Sequence, residues 1–564
     1  MQTIGLMRKE TAKDPTPVAL SFCAAEPAAL EQWSAELPLV NTEATAQLLS
    51  DATEELADID LGPLRRLELL DVIRPTLRYI CTRIQRNPLG KTKQWDAPSP
   101  HHLQRSLCKA YGVAFEQTLE ALDQDKPPNK DLLARIGHRL ITELSLTILH
   151  SLQHYIEVPE NFWQQLHSTY AALERRDLGD YMLKDDETVN RDLSVREAYV
   201  RILLLQTCKP NQLNQNELNH LYNALEEWAG HASLSVDLTE SVFAVDLTSD
   251  AAPVYAEQSR DQGTWLGLRT EVLTYELQAY LNAISTNVAV PDTVNNDLIQ
   301  HAVSAWSSIH MRRFRRLATD SQVRLCIGLR AVHFFLSGGI GFNEQIANTD
   351  TSLRREVNPF LEVDFESVAS RVEDDPWGQA HDLKVPIPEN PNIEEPSRIF
   401  FESQTPPPVE SKYAHYELKT LDTSPQGYRL RWPEAMPREA QLGEFIALRE
   451  ESDARWCVAV IRWISKSHDF AEMGIELLAP KAIPIAIRSI RKISGSTEFQ
   501  RGLLLPSLEA LNKPATIVTP KIQFVEQQKV SIQRQGLQTT AMLLSVTEKT
   551  ESFNQFTFRV LGGY

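Results

Sequence analysis

The sequence predicts an α+β multidomain protein: an all-α N-terminal region, then an antiparallel β-barrel, then additional C-terminal β-strands. Three observations carry this. A chain of 564 residues exceeds one compact domain and implies about two or three. Over roughly the first 300 residues apolar side chains recur at three- and four-residue spacing, the period of a helix with one buried stripe. From Tyr413 onward they alternate with polar residues in short runs divided by turns, the period of half-buried strands. The expected division is 1–305 mainly helical, 306–480 a β-barrel with a proline-rich insertion at about 341–411, and 481–564 a β extension.

Taken in order, Leu107, Tyr111, Phe115 and Leu119 form one apolar stripe, and Leu133, Ile136, Leu140 and Leu144 another. Ser194 with Glu197 three residues on reads as a capping box opening a helix that stops before Pro210. The next helix covers Leu218 to Trp228, with Gly230 as a left-handed C-cap. Leu234, Val236 and Leu238, then Phe243, Val245 and Leu247, alternate on either side of Glu240 and predict a hairpin near 233–248. Helices resume at Val272 to Ala283 and around Leu298 to His310. Val323 to Phe335 is apolar and reads as strand, and Gly338 to Gly341 as a turn. Prolines crowd residues 371–411 and forbid a helix or a sheet ladder there. Strands are expected at Tyr428 to Trp432, Phe445 to Leu448, Cys457 to Trp463 and Gly474 to Leu478. The tail adds Thr516 to Thr519, Ile522 to Val525, Lys529 to Gln533, Met542 to Thr547 and Phe556 to Leu561, spacing that suits a small barrel or sandwich.

Bulk chemistry narrows the function. With 75 acidic and 57 basic residues the net charge is -18, so broad nucleic-acid binding is disfavoured and DNA is not an expected partner. The six cysteines include no C-x-x-C pair, which points to reduced thiols rather than a disulfide framework or a zinc site. No apolar run would span a bilayer and the first residues lack a signal-peptide core, so a cytoplasmic protein without membrane insertion is expected. A partner could recruit it to a polar or membrane-associated complex. His101-His102, His150 with His154, and His468 lack the carboxylate of an H-E-x-x-H frame, and no metal site is assigned. Ser424 has no G-x-S-x-G elbow, so no catalytic residue is assigned and an enzyme is not expected. Trp456 and Trp463 read as barrel packing.

Two short patterns concentrate the chemistry. Arg312, Arg313, Arg315 and Arg316 surround Phe314, and Asp422-Thr423-Ser424-Pro425-Gln426-Gly427 ends one strand and opens the next. Guanidinium forks pair with phosphates or the O6 and N7 edge of guanine, and their planes stack on bases. An ionised Asp accepts from the N1 and N2 donors of guanine, a Ser hydroxyl reaches a phosphate or a ring acceptor, and Gly427 permits a positive-φ turn with close ligand approach. Together they suit a guanine nucleotide. The bland accounts are a solvated helix end for the arginines and an Asx or Ser turn for Asp422 and Ser424.

R-x-x-x-R followed by [DN]-x-S-x-x-G resembles the signature of PilZ domains, which bind the bacterial second messenger cyclic di-GMP. Arg312 and Arg316 match the first element; Asp422, Ser424 and Gly427 match the second. Downstream, Gly427 to Leu430, Gly443 to Leu448, Val458 to Trp463 and Met473 to Leu477 look like the strands of that barrel in order. The resemblance spans about 310–340 and 412–480 and departs from the family in one respect: residues 317–421 separate the two elements, read as an insertion between the first two strands. It implies phosphate contacts and guanine stacking for Arg312 and Arg316, an auxiliary contact for Arg313, and the guanine edge for Asp422 and Ser424. It further implies an effector that couples cyclic di-GMP to an unidentified protein partner in surface attachment, pilus function, motility or exopolysaccharide production. The alternative is a PilZ-like scaffold or adaptor that binds no nucleotide.

Overall fold

A computed structural model describes residues 19–86, 98–123, 129–185, 191–259, 262–307, 317–347, 413–424, 426–450, 455–467, 469–491, 495–507, 513–534 and 537–561. The chain divides into two compact units, Met1–His310 and Met311–Tyr564.

The first unit is built on helices α1 (Pro27–Ala35), α2 (Thr42–Asp58), α3 (Pro63–Arg86), α4 (Pro100–Asp123), α5 (Lys130–Gln153) and α6 (Phe162–Glu174). Strands β1 (Met182–Leu183) and β2 (Leu193–Ser194) pair before α7 (Val195–Thr207) and α8 (Gln215–Trp228). At the starts of α2, α5, α7 and α8 orphan N–H groups are met by side chains: Asn41 caps α2 and Asn129 caps α5, while Ser194 with Glu197 and Asn214 with Glu217 form complete capping boxes on α7 and α8. The centre is α5, buried nearly all round. Its Glu143 is wholly buried, so the charge must be paired. Arg74 Nε donates to it at 2.6 Å, Arg78 donates as well, and the rest of the Arg74 fork grips Asp185 at 2.7 and 2.9 Å.

Two local expectations fail in this unit. Gly230 does not end α8 in a left-handed cap; Ala229 to His231 forms a short 3-10 turn instead. The two alternating runs near 233–248 do not form a hairpin with each other. Strands β3 (Ser233–Ser235), β4 (Phe243–Asp246), β5 (Val254–Tyr255) and β6 (Trp265–Arg269) make a sheet in the order β3-β6-β4-β5. Period-two alternation identifies a strand, not its partner, and β6 supplies the hydrogen bonds to both. Helices α9 (Glu271–Leu281) and α10 (Asn296–Ser307) complete the core, with Trp306 Nε1 donating to the Leu204 carbonyl at 3.1 Å.

The second unit opens with β7 (Leu317–Ile327), followed by α11 (Leu329–Leu336) and α12 (Phe342–Ala347). The strand expected over Val323 to Phe335 therefore stops at Ile327. Gly328, at φ +88, breaks the ladder, and an apolar run as short as Leu329 to Leu336 does not distinguish helix from strand by pattern alone. Then come β8 (Tyr416–Ser424), β9 (Gly427–Trp432), β10 (Phe445–Glu450), β11 (Cys457–Lys466) and β12 (Ala471–Ala479). With β7 they close an antiparallel barrel in the order β10-β11-β12-β9-β8-β7.

The tail comprises β13 (Ile483–Arg491), β14 (Gly495–Ser496), β15 (Gln500–Leu505), β16 (Thr516–Pro520), β17 (Lys529–Arg534), β18 (Leu537–Lys549) and β19 (Phe553–Leu561). These are more than strands laid on the first barrel. Their sheet runs β14-β13-β15-β16-β19-β18-β17, and β13 also pairs with β17, so it closes on itself. Ile522 to Val525 is not a strand: Phe524 alone is buried, Gln523 has φ +94, and Ile522 and Val525 are exposed. The two barrels share one apolar core, in which Phe445, Val458 and Val460 of the first meet Leu503, Val518 and Phe553 of the second.

Candidate ligand-binding site

The Asp-x-Ser-x-x-Gly element forms the end of β8, the turn, and the start of β9. In β9 Tyr428, Leu430 and Trp432 are buried, so Arg429 and Arg431 face outward. Asp422 pairs across with Arg429, and its carboxylate lies 3.9 Å from that guanidinium. Arg429 and Arg431 are both held by Glu472 of β12, at 2.9 Å from Arg429 Nε and at 3.0 and 2.6 Å from Arg431. Burial disfavours the Glu472 carboxylate, yet hydrogen bonds from Arg431 and Arg429 hold it below the usual carboxylate range. The guanidinium of Arg431 also stacks over the Phe470 ring at 4.2 Å.

Ser424 donates across the turn to the Gly427 carbonyl at 3.3 Å. Gly427 is not among the positive-φ glycines, so the turn does not need it for that reason. It is needed because the backbone of β12 comes too near: a Cβ there would lie 1.9 Å from the Ile475 carbonyl oxygen. The approach is sealed by Leu477 N–H donating to the Gln426 carbonyl at 2.8 Å.

Arg312, Arg313 and Arg316 lie outside the described residues. Their attachment point does not. Arg316 is joined by one peptide bond to Leu317, and Leu317 pairs with Thr423 while Ala318 pairs with Asp422. Within the sequence between the two elements, β7 runs alongside β8 as far as Leu325 opposite Tyr416, about 20 Å along the ladder from Asp422 at roughly 3.3 Å per residue.

One residue missed by motif matching completes the outer face. Trp463 is not packed in the barrel interior; it is half-buried, opposite Gly474, which is itself opposite Arg429. A Cβ on Gly474 would lie 1.8 Å from the indole nitrogen. Asp422, Arg429, Gly474 and Trp463 thus form one row across four strands. A glycine between Met473 and Ile475, in the interior of a strand, was the legible signal. Trp456, by contrast, packs on Phe335 at a ring separation of 5.3 Å.

The remaining sequence candidates do not gather here. His150 packs against His154 at 4.5 Å and His101 at 5.9 Å, and burial, with those two rings, pushes it down to about 3. His468 is outside the described residues, among which no group of three or more His, Cys, Asp or Glu side chains could hold a metal ion. None of the six cysteines is in a disulfide. No helix among the described residues is long and apolar enough to cross a membrane.

Comparison with known proteins bears on the whole chain. Residues 28–240 match the family model of the N-terminal domain of the cyclic-di-GMP receptor FimW. Residues 242–484 match its middle PilZ domain, and 485–561 its C-terminal beta-barrel domain. The cyclic-di-GMP receptor FimW of Pseudomonas aeruginosa (strain PAO1) is 31% identical over 566 aligned positions, covering 97% of this chain and 92% of the relative. The chain belongs to the FimW family. No solved structure matches it. The FimW middle-domain match begins at 242, yet α9 and α10 pack into the core of the first unit, so sequence kinship and physical packing divide the chain at different points.

Proposed function

We propose that this chain is a cyclic di-GMP receptor whose nucleotide is held where the start of β7 meets the β8–β9 turn. The observation that supports this reading is the register that sets Leu317 opposite Thr423 and Ala318 opposite Asp422, with the arginine element immediately preceding Leu317 in the sequence. Arg312 and Arg316 contact the phosphates and stack on guanine, with Arg313 auxiliary. Asp422 accepts from the guanine N1 and N2 donors, Ser424 supplies a hydroxyl, and Gly427 keeps the turn against β12. A chain carrying -18 overall needs such a local cluster of cations to hold a dianion.

The action is binding rather than catalysis. Ligand binding favours one arrangement of a pre-existing equilibrium. The readout is altered affinity for a protein partner of the helical region, in attachment, pilus function or motility. The test is calorimetric titration with cyclic di-GMP, GTP and cyclic di-AMP, repeated with Arg316→Ala and Asp422→Ala. Selective binding of cyclic di-GMP, weakened at least about tenfold by each substitution through lost charge-assisted hydrogen bonds, is the expected result. No binding by the folded, unsubstituted protein would leave a PilZ-like adaptor instead.

A further inference from the structure

The nucleotide element and the C-terminal barrel are joined by one side chain. Between Ile461, opposite Ile475, and Trp463, opposite Gly474, β11 carries an extra residue, Arg462. A bulge of this kind re-aims its side chain out of the ladder. Arg462 uses that freedom in two directions. Its Nε donates to Glu476 at 2.7 Å, and the two terminal nitrogens grip Glu548 of β18 at 2.7 and 3.0 Å. Glu548 is also set by an irregularity, since β18 shifts register against β19 between Val546 and Glu548. Two bulges, one in each barrel, therefore deliver the two halves of a bidentate pair.

Glu476 is the register partner of Gly427. Its neighbours Ile475 and Leu477 are the residues whose backbone the Gln426–Gly427 turn presses against. A movement of that turn on ligand binding is thus felt first at 475–477, and Arg462 ties 476 to the second barrel. The rest of the contact leaves little slack. Ser552 Oγ donates to the Gly443 carbonyl at 3.2 Å, Phe445 meets Phe553 edge-on at 5.0 Å, and Thr550 packs against Gly443. An isolated exposed ion pair would carry little coupling, but a bidentate guanidinium shared by two carboxylates at a packed junction has both geometry and partners.

We propose that Arg462 is a positioning residue of the nucleotide site: through Glu476 it sets β12 behind the Gln426–Gly427 turn, and through Glu548 it couples that setting to β18 of the C-terminal barrel. The C-terminal barrel is then a responsive part of the receptor. This rests on the receptor reading above, and binding and response are reciprocal, so each can be read from the other end.

The experiment titrates cyclic di-GMP into the full chain and into Glu548→Gln, Arg462→Gln and the double variant, with melting curves to establish folding. Hydrogen exchange of 537–549 is measured with and without ligand. Affinity should fall about fivefold or more in each single variant, the low end of coupling between sites, and the double variant should lose no more than the Arg462→Gln single. Ligand should slow exchange in β18 of the unsubstituted protein. Unchanged affinity in folded Glu548→Gln overturns the proposal, as does β18 exchange indifferent to bound ligand; the exchange result decides if the variants do not fold. Failure of the unsubstituted protein to bind would instead overturn the receptor reading, and this inference with it.

Discussion

Replacing Gly427 with Ala is the sharpest perturbation of the site, because the obstacle is backbone. The new Cβ would lie 1.9 Å from the Ile475 carbonyl oxygen and 3.3 Å from the Glu476 Cα, both in a strand hydrogen-bonded on each side. No side-chain rotation relieves that overlap, so the β8–β9 turn must move off β12. The move breaks the Leu477 N–H to Gln426 carbonyl bond and the pairing at Gly427 and Glu476. A buried polar group stripped of its partner costs about 1–3 kcal/mol, so two such losses amount to about 2–6 kcal/mol. Urea unfolding of the barrel unit, followed by exchange of β9 and β12 amides, should show a loss in that range, and cyclic di-GMP binding should weaken by more than about tenfold. Gly474→Ala is the control. Its Cβ would meet the Trp463 indole, a side chain that can leave its rotamer for about 0.5–1.5 kcal/mol. A Gly427→Ala protein that unfolds and binds like the unsubstituted chain, or a Gly474→Ala protein that suffers more, would refute the assignment of close backbone approach to Gly427.

Two further predictions follow from buried titratable groups. Glu143→Gln should cost about 3–5 kcal/mol, since it leaves Arg74 and Arg78 charged without their shared carboxylate; thermal unfolding of the helical unit by circular dichroism measures it, and a shift within error would sink the reasoning. His333 is buried between the barrels, where burial first, opposed by its hydrogen bond to the Ile485 carbonyl at 3.2 Å, takes it from 6.5 down to about 4. A depressed folded value means the unfolded chain binds the proton first, so stability is intact above pH 6.5 and lost as pH falls through about 4. His333→Asn should flatten the stability of the barrel unit across that window, and an unchanged pH profile would contradict it.

Much of this molecule is local and therefore legible. Helical stripes such as Leu133, Ile136, Leu140 and Leu144, the capping box at Ser194 and Glu197, and the alternation in Tyr428, Leu430 and Trp432 each depend on neighbours within a turn or a strand. The Asp422, Ser424 and Gly427 element is equally local, lying within one turn. Pairings between distant segments were not legible. Nothing in residues 233–247 names β6 as the partner of both β3 and β4, and nothing in the tail states that β13 returns to β17. Strand pattern tells which face is buried, whereas the partner is chosen by the packing of the whole sheet. The sequence by itself determined the helical and β halves and the chemistry of the motif. Only the tertiary structure decided that Leu317 lies against Thr423, that Gly427 yields to Ile475 rather than to a turn, and that Arg462 reaches Glu548, because each is a contact between residues that chain connectivity leaves far apart.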